Sequence, residues 1–224
     1  MTEEEFLAAY DASAYPRPSV AVDAVLFTIR DVALQGLLTR RQAHPFAGLL
    51  SLPGAFVGPE ETLDGAAQRA LREKAGLQDI FLEQLYTWGD PGRDPRLRVI
   101  SVSYYALVPE DRIGPLPEGT ALYPAHALPT PLAFDHAGII RLGLERLRGK
   151  VSYTDIAFSL VPEEFTLPQL QRVHELLLGQ PLYKANFRKK IAGRIEETGK
   201  FTSGGKHRPS RIYRKRALPA EPLL

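Results

Sequence analysis

The residues with the clearest chemical role lie on a short basic helix, which the pattern predicts at residues 183–195. Its buried face is formed by apolar residues at helical spacing, namely Phe187, Ile191 and Ile195. A step of about 100° per residue places Lys189 almost opposite Phe187, with Asn186 and Arg188 on the flanks. Asparagine can bond to adenine edges, and arginine and lysine can reach guanine or phosphate. This helix therefore has the outward surface that reading a DNA groove requires.

A second basic group follows at the tip of a predicted hairpin, residues 198–214. The tip contains two glycines, Gly204 and Gly205, beside several basic residues. In a winged helix such a tip meets the sugar-phosphate backbone or the narrow minor groove of DNA. The residues predicted to contact DNA, from the helix and the tip together, are Lys184, Asn186, Arg188, Lys189, Lys206, His207, Arg208 and Arg211. Double-stranded DNA is favoured over RNA, because the deep, narrow major groove of RNA would not admit the helix.

The distribution of charge supports a polyanionic partner. Residues 181–216 hold twelve Lys or Arg and two acidic residues, a net charge of +10, whereas the other 188 residues carry −8 and the whole chain +2. A single basic helix is more often an ordinary solvated surface. Here the charge falls on two elements that a winged helix brings to one face, which favours DNA binding.

Three short helices and a hairpin must position these basic residues. Residues 154–161 are weakly helical, and Thr166 with Gln169 has the form of a capping box that opens a helix ending at Leu178. The basic helix and the hairpin follow. This order of elements predicts a winged helix-turn-helix.

The front part of the chain predicts a domain that contains both strands and helices. A nearly continuous apolar run at residues 19–29 indicates a buried strand. Further strands are predicted at 33–41, 80–88 and 97–108, and helices from Thr62 to Gly76 and from Phe134 to Gly149. Six prolines between Pro109 and Pro131 predict a semi-rigid connecting segment.

The segment from Leu52 to Leu77 resembles a Nudix box, whose pattern is G-x5-E-x7-R-E-U-x-E-E-x-G-U with U a bulky aliphatic residue. The matching positions are Glu61, Arg69, Leu71, Glu73, Gly76 and Leu77. Ala55 stands in place of the glycine, and Ala70 and Lys74 stand in place of two glutamates. In a working Nudix helix, carboxylates on one face collect divalent cations that neutralise a pyrophosphate and activate water. The resemblance therefore implies poor metal binding, lost or vestigial hydrolysis, and neither a catalytic residue nor a metal site.

The combination of this segment with other parts closely resembles the Nudix-related transcriptional regulators of the NrtR family. These parts are the loop GDPGRDPR at 89–96, the stretch 133–179 and the terminal winged helix with GGKHRPSRIYR, so the resemblance covers about residues 15–214. It implies a homodimeric bacterial repressor of NAD or related nucleotide and sugar genes, which binds a palindromic operator. Binding of ADP-ribose or a related nucleotide in the Nudix-like pocket would release the DNA, and no cofactor would be required.

The same resemblance implies which residues form the pocket. They are Arg40, Gly54, Ala55, Phe56, Arg69, Glu73, Asp90, Arg93 and Arg96. Arginines suit diphosphate oxygens. The alternative for Arg40 and Arg69 is a partner role in internal salt bridges. The loop at 89–96 is interpreted equally well as a salt-bridged turn or as part of the ligand site. The histidines without ligand-type spacing, expected at the surface or in packing, are His44, His126, His136 and His174.

The composition excludes several classes of protein. The 224 residues contain no cysteine, which excludes disulfides, thiolate zinc sites and cysteine nucleophiles. No run approaches the ~18 apolar residues of a membrane span, and the start is acidic, unlike a secretory signal. We expect a protein of the bacterial cytoplasm that associates with the nucleoid. We also expect an α+β chain. Its parts are a Nudix-like α/β/α sandwich with a mixed sheet for effector binding and dimerisation at 1–150, a winged helix-turn-helix at 151–216 and a flexible tail at 217–224.

Two other functions remain open from the sequence. One is a Nudix hydrolase of ADP-ribose or nucleotide sugars, with the basic segment as a nucleic-acid tether. The other is a constitutive DNA-binding protein whose front domain only dimerises.

Overall fold

Strand β1 (Ser19–Arg30) lies at the centre of a mixed sheet in the front part of the chain. The computed structural model describes residues 1–203 and 209–217, so the tail predicted at 217–224 lies almost wholly outside the described residues. The other strands of this sheet are β2 (Ala33–Arg40), β3 (Leu50–Ser51), β4 (Gly54–Phe56), β5 (Glu83–Trp88), β6 (Val99–Leu107) and β7 (Thr120–Pro124). β1 pairs in parallel with β6 and antiparallel with β2 and β4, and β5 forms the edge beside β6.

Helices cover both faces of this sheet because both faces of β1 are apolar. Ala24 and Leu26 belong to the core under α2 (Leu63–Ala75). Val25 and Phe27 point the other way, into the core under α3 (His136–Val151). A short helix, α1 (Glu3–Ala9), precedes the sheet. The predicted α/β/α sandwich with a mixed sheet is confirmed.

Local signals set both ends of α2. The side chain of Thr62 accepts a hydrogen bond from the Gly65 amide at 3.1 Å and caps the N-terminus. Gly76 ends the helix in the left-handed region, with φ of 69°. Both boundaries agree with the sequence. The small buried residues Ala66 and Ala67 allow this helix to lie close to the sheet.

The proline-rich segment between Pro109 and Pro131 contains a strand that was not predicted. β7 pairs antiparallel with β2, for example Leu122 with Leu37. The segment was expected only to connect elements. Its strand has no clear pattern of its own, because its hydrogen bonds go to a partner far earlier in the chain.

The rear part of the chain is a winged helix. Its helices and strands are β8 (Glu164–Thr166), α4 (Leu167–Leu178), α5 (Lys184–Ile191), β9 (Ile195–Phe201) and β10 (Arg211–Lys215). The capping box of Thr166 and Gln169 is present as predicted. The predicted helix at 183–195 is shorter, because a 3-10 turn at 192–194 replaces its last part. β8 was not predicted; it adds a third strand by pairing with β10.

The two parts share one apolar cluster. α3 packs against α4, and the cluster extends from Phe27 and Ile139 to Leu170 and Phe187. Because this cluster is closely packed, a displacement of α3 would also displace residues of the winged helix. In the part of the chain that the structure describes, no helix is long and apolar enough to cross a membrane.

Candidate functional site

A cavity of about 420 Å³ lies where β1, the end of α2 and the start of α3 meet. The predicted pocket residues that line it are Arg40, Gly54, Ala55, Phe56, Glu73, Arg93 and Arg96. Arg69 and Asp90 do not line it. Asp90 is exposed in the loop before Arg93. The fold thus brings seven of the nine predicted residues together.

Arg69 lies outside the cavity because it is held by Glu61. Its guanidinium donates to both carboxylate oxygens of Glu61 at 2.8 Å and to the Phe56 carbonyl at 2.9 Å. Hydrogen bonds from Arg69, together with the Gly58 amide, lower the pKa of Glu61 to about 2. The pair joins α2 to the loop that follows β4, so its role here is structural.

A buried group of charges forms the floor of the cavity. Asp23 accepts a hydrogen bond from Ser101 at 2.6 Å and lies 3.5 Å from the Arg93 guanidinium. Arg93 also forms a two-bonded ion pair with Asp135, at 2.7 and 2.8 Å. Burial alone would raise the pKa of Asp23, but His136, Ser101 and Arg93 together lower it below its usual range. The floor is therefore a rigid network that holds Arg93 in place.

His136 belongs to the same network. Its Nδ1 accepts a hydrogen bond from the Leu52 amide at 2.9 Å, and its Nε2 lies 3.4 Å from Asp23. His136 was expected only at the surface or in packing; it is buried, but it also lines the cavity. Of the other three histidines, His44 and His126 are exposed and His174 is buried.

Gly54 is required beside this network. A Cβ at this position would lie 2.4 Å from Oδ1 of Asp23 and 2.8 Å from the Val22 carbonyl oxygen. No side chain fits in that space. This contact explains why β4 begins with a glycine.

Aromatic rings and guanidinium groups form another part of the cavity lining. The Arg41 guanidinium lies 4.8 Å from the ring centre of Phe134, and the Arg96 guanidinium lies 5.3 Å from that of Phe56. Asp94, which is buried, holds Arg96 through bonds of 2.7 and 3.0 Å. Such a lining can stack on a flat ring.

Several residues of the cavity, and of the charged network that holds Arg93, had no signal in the sequence. Asp23 is hidden within an apolar run, and Asp135, His136 and Phe134 follow the proline-rich segment. Their partners are distant in the chain, so only the fold brings them together. Arg41 and Lys74, which also line the cavity, were not predicted either.

The residues of the box do not fit a divalent metal ion. Glu61 is bound by Arg69, Ala70 is fully buried and carries no carboxylate, and Lys74 follows Glu73 in the chain with a positive charge. Across residues 1–203 and 209–217, no group of three or more His, Asp or Glu side chains is placed to hold a metal. The carboxylates of the box are therefore too few, and too closely engaged with protein cations, to gather a divalent ion.

The second candidate site is the outer face of α5. Phe187 and Ile191 are buried as predicted, and the predicted DNA contacts Lys184, Asn186, Arg188 and Lys189 are exposed. None of the three basic residues among these contacts forms a salt bridge with another described residue. Tyr183, at the start of α5, is 85% exposed and was not predicted. Residues at the N-terminus of a recognition helix are the ones that reach base edges.

The hairpin of β9 and β10 contributes a further predicted contact. Arg211 is 58% exposed, and its guanidinium binds both carboxylate oxygens of Glu197 at 2.7 Å. An exposed pair of this kind contributes little to stability, so a phosphate can replace Glu197 at low cost. Lys206, His207 and Arg208 lie outside the described residues.

A charged cavity in an α/β/α sandwich, joined to a winged helix with a basic outer helix, defines a transcription regulator with a ligand-binding domain. Residues 18–143 match the model of the NUDIX domain, and residues 157–215 match that of the NrtR DNA-binding winged helix domain. The chain belongs to the NrtR family of Nudix-related transcriptional regulators.

Relatives support this assignment along most of the chain. The ADPR responsive transcriptional repressor NtrR of Acinetobacter baylyi is 37% identical over 221 residues, which cover 95% of this chain and 88% of the relative. The crystal structure of Shewanella oneidensis NrtR with a 27mer DNA has a TM-score of 0.75 and 38% identity, and the match covers 88% of this chain and 93% of that one. The NUDIX domain of the same protein in complex with ADP ribose has a TM-score of 0.59 and 40% identity. This match covers 66% of this chain and 99% of that one.

Proposed function

We propose that this protein is a homodimeric repressor that binds a palindromic operator through α5 and the β9–β10 hairpin. ADP-ribose or a related nucleotide in the cavity releases the DNA. The genes controlled are those of NAD or related nucleotide and sugar metabolism. Residues 1–150 form the sensing and dimerising part and 151–216 the DNA-binding part, acting on the nucleoid in the bacterial cytoplasm.

One observation carries this proposal: a cation-lined cavity and an exposed basic helix lie in one chain and share one apolar core. The cavity combines Arg93 and Arg96 with a wall that includes Phe56 and Phe134. Guanidinium groups suit a diphosphate, and aromatic rings suit a base. The relatives that respond to ADP-ribose or are bound to ADP-ribose or DNA support the same two ligands.

Helix α3 offers the physical link between the two sites. Its N-terminus lies at the cavity, where Asp135 and His136 contact the buried network. Farther along, this sixteen-residue helix packs against α4, and α4 packs against α5. A ligand that binds Arg93 competes with Asp135 for the same guanidinium, so it can shift the start of α3. This competition supports coupling of about 1–3 kcal/mol between the two sites.

Hydrolysis is the less well supported function. Ala70 and Lys74 remove two carboxylates from the face that would hold the metal, and Glu61 is engaged by Arg69. We infer that any hydrolysis of ADP-ribose is vestigial.

Fluorescence anisotropy tests the proposal directly. Labelled inverted repeats from upstream of the gene and its neighbours are titrated with protein, and then with ADP-ribose, NAD and sugar phosphates. We expect tight binding with a steep dependence on salt, because several phosphates are neutralised. Addition of ADP-ribose should weaken the binding of the protein to DNA. If none of these DNAs binds, the proposal fails.

A pair of variants separates the two sites. Arg188→Ala with Lys189→Ala should abolish DNA binding and leave the rise in Tm with ADP-ribose unchanged. Arg72→Ala with Arg141→Ala is the control, because it removes the same charge from exposed positions of the front part. It should leave both DNA binding and the rise in Tm with ADP-ribose unchanged. AMP release in Mg²⁺ or Mn²⁺ at ~10 s⁻¹, the usual turnover of an enzyme, would support the hydrolase instead.

A further inference from the structure

The balance of charge in the cavity depends on a single lysine. Of the described residues that line the cavity, five are basic and four are acidic. The basic ones are Arg40, Arg41, Lys74, Arg93 and Arg96. Replacing Lys74 by the glutamate of the Nudix box would reverse this balance to four basic and five acidic residues.

Unlike the four arginines, Lys74 has no partner for its charge among the described residues. Arg93 and Arg96 are bound to carboxylates, Arg40 donates to the Gly48 carbonyl at 2.7 Å, and Arg41 donates to the Pro45 carbonyl at 2.7 Å. No acceptor or carboxylate of a described residue lies within bonding distance of the Lys74 ammonium. This cation is free to bind an anion in the cavity.

The backbone of Lys74 is nevertheless fixed. Its carbonyl oxygen accepts a hydrogen bond from Oγ1 of Thr120 at 2.8 Å, which ties the end of α2 to the start of β7. Glu118, two residues before Thr120, also lines the cavity but forms no salt bridge with Lys74. The residue is therefore held at the cavity wall by its main chain, while its side chain stays available.

We propose that Lys74 supplies the positive charge that a divalent cation supplies in a Nudix box, and that it binds the diphosphate of the effector directly, without a metal ion. The carboxylates that would hold the cation are lacking, and an ammonium group stands at one of their positions. A lysine offers three donors to phosphate oxygens. This inference rests on the proposed function, because it takes a nucleotide diphosphate as the ligand of this cavity.

The test compares ligand affinity with and without metal. Isothermal titration of the full chain with ADP-ribose, and separately with inorganic pyrophosphate, is run in EDTA and in Mg²⁺. The wild-type chain should bind both probes with the same Kd in the two buffers. Lys74→Gln should weaken both by about 10- to 100-fold, the range for a hydrogen bond to a charged group. Lys74→Arg should restore most of the affinity.

Two further variants sharpen the result. Lys74→Glu should not bind in EDTA, and Mg²⁺ should restore part of its affinity, because it places a second carboxylate beside Glu73. Arg72→Gln is the matched control: it removes a cation from the same last turn of α2 but does not line the cavity. It should bind like the wild type. Unchanged circular dichroism and Tm should show that all variants fold.

The possible failures are distinguishable. Binding of either probe to the wild type only in Mg²⁺, or full affinity of Lys74→Gln in EDTA, overturns the role of Lys74 and leaves the repressor intact. A third outcome is that pyrophosphate binds through Lys74 without metal but ADP-ribose does not bind. It would support the role of Lys74 in binding a diphosphate and contradict ADP-ribose as the effector. If neither probe binds to the wild type, both proposals fall.

Discussion

At the scale of single residues, the cavity depends on charges that are buried and paired. Arg93 bonds to Asp135 and lies near Asp23, and Gly54 packs directly against Asp23. A buried ion pair contributes to position more than to stability, because both charges lose their hydration. The network therefore keeps Arg93 pointing in one direction, which a site for a phosphate group requires.

Gly54→Ala should destabilise the protein by about 1–3 kcal/mol, because the added Cβ would overlap Asp23 and the Val22 carbonyl. Urea unfolding measures the change. Gly92→Ala is the control, since no atom of the described part of the chain lies within 4 Å of a Cβ there. Equal losses in the two variants would show that the close contact at Gly54 is not the cause.

His174 should make stability depend on pH. Burial, with Lys190 and Arg194 nearby, lowers the pKa of His174 from 6.5 to about 4, and no described residue forms a hydrogen bond with its Nε2. Between these two values the unfolded chain binds a proton that the folded chain does not, so stability falls as the pH falls from 6.5 to 4.

His174→Leu removes this dependence. Relative to the wild type it should gain on the order of 2 kcal/mol between about pH 7 and pH 4.5, measured by urea unfolding at each pH. His126→Leu, at an exposed position, should follow the wild-type curve. A constant difference between His174→Leu and the wild type across this range would contradict the assignment.

At the scale of elements, capping residues determine where α2 ends at both termini and where α4 begins. α2 has a side-chain cap at Thr62 and a left-handed glycine at Gly76. α4 has the reciprocal bonds of a capping box, from the Gln169 amide to the Thr166 hydroxyl and from the Thr166 amide to the Gln169 side chain. α5 has no side-chain cap at Tyr183. Its position depends instead on packing of Phe187 against α4, where the ring lies 5.1 Å from that of His174.

Thr166→Ala should lower the free energy of unfolding by about 1 kcal/mol through loss of the cap of α4. Denaturant unfolding followed by circular dichroism measures it. Thr166→Ser keeps the hydroxyl and should keep most of the stability. A loss as large in the serine variant would mean that the methyl group, and not the cap, is responsible.

At the scale of the whole molecule, the coupling that we propose between the cavity and DNA binding depends on the contact between the two parts of the chain. A second cavity of about 540 Å³ lies at this joint, lined by residues of α3, α4 and the β1–β2 turn. Leu144 of α3 and Leu176 of α4 both line it, and Arg172 donates to the Val32 carbonyl at 3.4 Å. α3 and α4 are in contact at this joint, so a shift of α3 would act on the winged helix there.

Leu144→Ala should reduce the coupling between the two sites and leave each site able to bind. The ratio of DNA Kd with and without saturating ADP-ribose is the measurement, and it should fall by about 2- to 30-fold, the range for residues between coupled sites. Glu145→Ala, exposed on the same helix, should keep the wild-type ratio. An unchanged ratio in Leu144→Ala would exclude α3 as the route.

The sequence alone determined the features that depend on neighbours along the chain. The capping box of α4, the ends of α2 and the buried stripe of α5 all involve residues three to five positions apart, so short patterns predict them. The loss of carboxylates at Ala70 and Lys74 is likewise a matter of residue identity. The net charges of +10 at residues 181–216 and −8 in the rest of the chain also follow from residue identity alone.

Only the tertiary structure decided how distant residues meet. It paired β7 with β2 and β8 with β10, and it gathered Asp23, Arg93 and Asp135 from three separate segments. It also removed Arg69 from the cavity by binding it to Glu61 and left the Lys74 ammonium without a partner among the described residues. The physical reason is that neighbouring protein groups compete with a ligand for each charged side chain, and those groups come from anywhere in the fold.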